Sequence, residues 1–305
     1  MLNVNLRDRQ GRTVACHHPI KVSLSVSEEA PADRLAVVFA VSGTVPLLTS
    51  VEVCDGDERV FFGYVDEQIE EEGDGGRFLS VTARSLAAVL LDNEAAPQTY
   101  CMPSMPLLMQ RHFRPLGFTA FVGNAQAYSG ELVVTKGMSE WSVLQQFCRY
   151  FTRTKPKIRR DGVIDISGTA PQEMLVLPQE KLLMCRHEYR PRVLFSEIWA
   201  RTRIGGGYEM PFAGEKAKAL GVQRRRYVNT AGTREQTPLS VQEMLTATEA
   251  AYERLVVTYS GFLRAEPDTG LQLVGHPEQY RIRELHYALD KTGERTVLYA
   301  ERIGT

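Results

Sequence analysis

Alternation of apolar and polar residues organises the first third of the chain. Ile20, Val22, Leu24 and Val26 are interleaved with Lys21, Ser23, Ser25 and Ser27. A two-residue period turns one set toward a core and the other toward solvent, as in a half-buried strand. Leu35, Val37, Phe39 and Val41 form a second such row. Asp55-Gly56-Asp57-Glu58 separates Val51–Val53 from Val60–Ile69, and Asp-Gly between two strand-like runs predicts a hairpin. A glycine-rich acidic turn over Glu70–Gly76 then leads to a strand at Phe78–Ala83, and a short helix over Ser85–Leu91 closes the segment. Several short strands divided by turns predict a small antiparallel barrel or sandwich.

The pattern changes near residue 96. Pro97, Pro103 and Pro106 punctuate a stretch that also carries Met102, Met105 and Met109, and proline restricts both itself and its predecessor. Beyond it the periodicity becomes mixed. Leu107–Phe113 reads as a helix. Ser139 is placed to cap another, with Trp141, Leu144, Phe147 and Phe151 on one face, and Lys155–Ser167 reads as a hairpin around Asp161-Gly162. From residue 171 strands return. Val193–Thr202 precedes Gly205-Gly206-Gly207. Ser240-Val241-Gln242-Glu243 fits a capping box opening a helix to about Arg254, with Val241, Leu245 and Tyr252 inward. Leu255–Phe262, Leu271–Val274, Arg281–Leu289 and Arg295–Ile303 complete the strands, the last two around Asp290–Gly293. The expected fold class is mainly β with an α+β insert: two small β-barrel domains at 1–95 and 171–305 and a small α/β domain at 96–170.

Composition narrows the function classes. The 305 residues carry 36 Lys and Arg against 37 Asp and Glu, a net charge of -1, without the basic excess of a dedicated nucleic-acid binder. The amino-terminal residues MLNVNLRDRQGR are charged where a secretion signal is apolar, and no run approaches the roughly 20 apolar residues of a membrane helix. Cytoplasmic synthesis without membrane insertion is the expectation. The 5 cysteines, Cys16, Cys54, Cys101, Cys148 and Cys185, are widely spaced and form no CxxC, so they read as reduced packing residues.

Each candidate for chemistry has a plainer structural reading. The triple glycine 205–207 lacks the GxxxxGK[ST] frame of a phosphate loop and reads as a flexible turn. Cys16-His17-His18 holds metal-ligand types, but His112, His187, His276 and His286 are scattered, so no metal site or cofactor is expected. Glu70-Glu71-Glu72 with Asp74 reads as a solvated turn rather than paired catalytic carboxylates. No GxSxG occurs, and Cys148 lies between the large apolar side chains of its helix. Lys155–Arg160 and Arg224-Arg225-Arg226-Tyr227 fit a subunit-facing or solvated role, and neither carries the interleaved aromatics of a single-strand stacking platform. No catalytic residue is nominated, and the chain reads as non-enzymatic.

Several segments taken in order carry a resemblance. Val51-Glu52-Val53 with Asp55-Gly56-Asp57 is followed by Val60-Phe61-Phe62-Gly63-Tyr64-Val65-Asp66-Glu67. Then come Gly76-Arg77-Phe78-Leu79, Ala83-Arg84-Ser85, Leu90–Glu94 and Pro97-Gln98-Thr99-Tyr100. This set resembles the late control D and Mu-like baseplate hub family of phage contractile tails. Lys136–Leu144 is similar to the LysM-like insert of those hubs. The resemblance is clearest over residues 20–150.

It implies a virion structural protein located in the baseplate of a phage or tail-like particle. It also implies a homotrimeric ring of paired barrels joining the tail tube to the central spike. The implied partners are further copies, the tail tube protein, the spike protein and other baseplate components, with nucleic acid met only as DNA passing through the channel. The alternatives left open are a cell-wall glycan-binding or wall-degrading tail module and an oligonucleotide-binding barrel protein.

Overall fold

A computed structural model of the protein describes residues 2–16, 18–169, 173–201, 206–229 and 238–303, with side chains of the last stretch from 241 onward. The chain divides into two compact units. One comprises Met1–Ala170, Ser260–Pro267 and Glu284–Thr296; the other comprises Pro171–Tyr259, Asp268–Arg283 and Val297–Thr305. The class is mainly β, as the alternation predicts.

The first unit opens with strands β1 (Asn3–Asp8), β2 (Thr13–Val14), β3 (Lys21–Ser27), β4 (Arg34–Ala40), β5 (Leu48–Asp55), β6 (Glu58–Gly73) and β7 (Gly76–Ser85). Leu24 faces Leu35 and Val22 faces Val37 across β3 and β4, so the two predicted rows form one buried face. Phe39, Phe61, Leu79 and Val81 extend it, and burying a side chain of this size contributes about 1.5–3 kcal/mol. The Asp55–Glu58 hairpin forms with Gly56 at φ +59°, a conformation glycine adopts without strain.

The acidic turn is tighter than its composition predicts. Glu70, Glu71 and Glu72 are strand residues opposite Leu79, Phe78 and Arg77, which leaves only Gly73–Gly76 to reverse the chain. Backbone pairing and a 2.5 Å Glu70–Arg77 ion pair outweigh the local preference for a loop.

A second core of the first unit gathers α1 (Ala87–Asp92), β8 (Gln98–Cys101), α2 (Met105–Leu108), β9 (Phe121–Val122), β10 (Glu131–Val134), α3 (Glu140–Phe147), β11 (Lys157–Ile158) and β12 (Ile164–Asp165). Leu90, Leu108, Phe113, Leu132, Leu144 and Phe147 fill it. Ser139 caps α3, accepting the Ser142 amide at 3.2 Å, as its position before an apolar face predicts. The predicted Leu107–Phe113 helix starts two residues earlier, capped by Ser104, and finishes as a π turn over Met109–Phe113.

The other unit contains β13 (Met174–Leu177), β14 (Leu182–Tyr189), β15 (Glu197–Arg201), β16 (Met210–Ala213), α4 (Glu215–Ala219), β17 (Arg225–Asn229), α5 (Pro238–Ala250), β18 (Glu253–Ser260), β19 (Gly270–Leu273), β20 (Gln279–Asp290) and β21 (Gly293–Arg302). Its larger sheet runs β14-β18-β21-β20-β19-β13. Only residues 178–181 join the two end strands, so this sheet curls until its edges lie within one short connection. The strand order nevertheless has two ends, an open form of the expected barrel. In the first unit the carboxy-terminal part of β20 pairs with β3, and the order continues β4-β7-β6-β5-β1-β2.

A separate three-stranded sheet, β16-β15-β17, packs Ile198, Ala200 and Val228 against Val241 and Leu245 of α5. Helix α5 begins at Pro238 and stops at Ala250, because Glu253 and Arg254 are taken by β18. Ser240 thus lies inside the helix rather than at its cap, and its side chain falls outside the described residues.

Candidate assembly surfaces

Three residues of the quoted segments, Gly63, Asp66 and Asp92, meet at Arg84. Between β6 and β7 the register slips so that Val65 faces Ala83 and Glu67 faces Thr82, leaving Asp66 as an extra residue. This bulge re-aims the Asp66 carboxylate at Arg84, which donates from Nε at 2.8 Å and from Nη2 at 2.9 Å. The same guanidinium donates to both oxygens of Asp92, at 3.1 and 2.6 Å, and ties α1 to β7. Arg84's hydrogen bonds, the largest cause, hold the Asp92 carboxyl below the usual carboxylate range, and the two carboxylates push the guanidinium further up. Gly63 makes the close approach possible: a Cβ there would lie 2.1 Å from the Arg84 carbonyl oxygen.

Within the α/β core of residues 96–170 lies a buried polar chain that the sequence does not advertise. Tyr100 Oη sits 2.7 Å from His112 Nε2, and His112 Nδ1 sits 2.7 Å from Glu140 Oε2, with all three side chains buried. Burial pushes the Tyr100 phenol above its ordinary range. The chain links β8, the π turn after α2 and the start of α3. With all three members buried, the chain fixes these elements in register.

The two basic clusters have different fates. Lys155 pairs with Glu28, Arg159 with Asp165 at 2.6 Å, and Arg160 with Glu266 at 3.5 Å while donating to the Ala265 carbonyl at 3.3 Å. This cluster serves internal pairing in the first unit. Beside it, Asp33 keeps part of its surface in solvent, yet desolvation of its carboxyl raises the pKa to about 7 against the opposing pull of Arg160.

The second cluster opens outward from β17. Parallel pairing sets Glu197 opposite Arg225 and Trp199 opposite Tyr227. Their neighbours Ile198, Ala200 and Val228 face α5, so this set forms the opposite face of the β16-β15-β17 sheet. Arg225 lies 5.6 Å above the Trp199 ring and donates to Glu197 at 2.8 Å, and Tyr208 meets Tyr227 edge-on at 5.3 Å. Arg224 and Arg226 alternate onto the α5 side of β17, where they lie 4.5 and 5.6 Å over Phe195 and remain exposed at the sheet edge. The aromatics absent from the linear Arg224–Tyr227 run are supplied by β15 and by Tyr208. Sheet pairing between distant segments creates the platform, and only recognition of β15 and β17 as parallel neighbours reveals it.

The end strands of the larger sheet form another surface. On β13, Met174 and Val176 are exposed; on β14, Leu183, Met184 and Tyr189 are exposed. Edge strands with apolar side chains and unpaired backbone groups are ready templates for another chain.

Candidate reactive groups are dispersed. Among the described residues no group of three or more His, Cys, Asp or Glu is placed to hold a metal. His17 lies outside the described residues; Cys16 and His18 occupy the segment between β2 and β3. All 5 cysteines are free thiols, and burial pushes the Cys148 thiol up to about 12, the behaviour of a packing residue. Gly205 lies outside the described residues, while Gly206 and Gly207 lead into a strand, not the helix a phosphate loop requires. No helix among the described residues is long and apolar enough to cross a membrane.

No family model matches the chain, and no curated protein matches it by sequence. Solved structures do. A tail protein from Neisseria meningitidis MC58 superposes with a TM-score of 0.77 at 16% identity, covering 98% of this chain and 96% of that one. The chain shares its fold with solved tail proteins. The 43 kDa tail protein of prophage MuSo2 from Shewanella oneidensis gives a TM-score of 0.80 at 15% identity, covering 98% of both chains. An E. coli component of the type VI secretion system, described as structurally similar to T4 bacteriophage tail proteins, gives 0.60 at 8% identity over 100% of this chain and 77% of that one.

Proposed function

We propose that the chain is a structural subunit of a phage tail or tail-like particle, namely a baseplate hub of the late control D and Mu-like type. Three copies form a ring that joins the tail tube to a separate central spike. The observation that carries the reading is the end-to-end match to two tail proteins: both units, with the α/β core of the first, are covered together, at 98% of this chain. The residues of the family-like motifs support it, because Gly63, Asp66, Arg84 and Asp92 form one physical node rather than a scattered set. A non-enzymatic role agrees with how the ionisable groups are used, since Arg84, Arg159 and Arg254 hold neighbouring elements in carboxylate pairs. The exposed apolar edges of β13 and β14 give the subunit surface on which an assembly contact can be built.

The test is genetic and biochemical. Producing cells lacking this chain yield free tubes or unassembled components, and supplying the chain restores complete tails that contain it. Complete, functional tails assembled without it would overturn the assignment.

A further inference from the structure

The edge strand β17 and its surroundings carry a charge that demands a complement. Residues 192–229 hold 8 Lys and Arg against 3 Glu, an excess of five positive charges in a chain whose total is -1. Arg224, Arg225, Arg226 and Tyr227 are exposed, and neither Arg224 nor Arg226 forms a carboxylate pair among the described residues. Exposed Tyr and Arg on an edge strand, with the half-buried Trp199 beside them, are the residue types that dominate binding energy at protein interfaces. Two such edges repel each other, so a twofold contact of this edge with itself is disfavoured.

The complementary surface exists elsewhere on the same chain. Residues 66–74, which end the long strand β6 and turn into β7, hold 6 acidic residues and no basic one. Glu71, Glu72 and Asp74 are exposed at the tip and make no ion pair among the described residues, while Glu70 is already engaged by Arg77. Neighbouring carboxylates at a hairpin tip repel one another until cations are brought to them. The hairpin is anchored at its base by the Asp66–Arg84 bulge, so its charges are presented on a supported element.

We infer that the acidic β6–β7 tip of one copy docks along the Arg224–Tyr227 segment of the edge strand β17 of a second copy. The inference rests on the ring reading above and deepens it. A contact between two different patches of identical chains is heterologous, and repetition closes it into a ring when the rotation permits. Opposed charges also steer the encounter and make it sensitive to salt.

Light scattering across a concentration series on the full chain tests this. The variants are Arg224→Glu with Arg226→Glu, Glu71→Lys with Glu72→Lys, and all four changes together. The expected result is a trimer mass for the unaltered chain, a monomer mass for either paired reversal at the same concentration, and recovery of the trimer when both are combined. Circular dichroism identifies any variant that fails to fold, and recovery in the fourfold variant excludes misfolding as the cause. A trimer unaffected by the reversals overturns the docking mode while leaving the hub reading standing. A folded fourfold variant that stays monomeric also overturns it, as does a monomeric unaltered chain, and the hub reading is then decided by its presence in assembled tails. If the arginine reversals abolish salt-sensitive binding of an oligo-dT probe without changing the mass, the edge strand belongs to single-stranded nucleic acid and the inference falls.

Discussion

Arg84 grips Asp66 across a β-bulge with two hydrogen bonds, at 2.8 and 2.9 Å, and this fork sets the twist of β6 against β7. Because the same guanidinium also holds Asp92, replacing it with Met frees both the bulge and α1. The expected cost is about 1 kcal/mol in urea unfolding at low salt, with most of the difference lost in concentrated salt, as for partly exposed ion pairs. The Asp92 carboxyl lies below its ordinary range, so its contribution is present above the usual carboxylate pKa and disappears as pH falls through the lowered value. An equal difference between variant and parent across that acid range would contradict this.

Gly63 is required for space rather than for an unusual backbone angle. Gly63→Ala places a methyl 2.1 Å from the Arg84 carbonyl oxygen, where backbone must yield. A loss of about 3 kcal/mol is expected, at the upper end of overpacking costs, read from the unfolding midpoint. Gly43, which has open space around its Cβ position, is the control, and Gly43→Ala should change stability by no more than about 0.5 kcal/mol.

How much of this was legible follows from range. Val22, Leu24, Leu35 and Val37 declare their strands through local alternation, and Ser139 declares a helix start through its own side chain. β14 escaped notice because most of its residues are exposed and its order depends on pairing with β18, so apolar Leu183 and Met184 follow no core-facing period. β17 escaped because Arg225, Arg226 and Tyr227 read as a charge cluster until β15 is beside them. The Tyr100–His112–Glu140 chain is likewise a product of tertiary contact, with no sequence spacing to reveal it.

That buried chain makes a quantitative expectation. His112→Phe and Glu140→Leu should each cost about 2 kcal/mol, because each leaves a buried polar partner unsatisfied. The double variant should cost less than the sum, since nothing is then left stranded between the two positions. Urea unfolding of the four proteins in a double-mutant cycle measures the coupling, and strict additivity would show that the 2.7 Å approach contributes nothing.

Asp33 supplies a pH dependence of the opposite sign to Asp92. Its pKa is raised to about 7, chiefly by desolvation, so the folded form favours the protonated acid. Its contribution to stability is fully present below the ordinary aspartate value near ~4 and is lost as pH rises through about 7. Asp33→Asn should therefore flatten the decline in unfolding free energy across that window. A variant whose pH profile parallels the parent throughout would contradict the assignment.

The central claim is a place in an assembled tail, and cryo-electron microscopy of purified particles carrying a tagged chain tests it most directly. The account predicts three copies forming a ring at the end of the tube, around the base of a distinct spike. Density distributed along the tube or sheath, or particles complete without the chain, would contradict it.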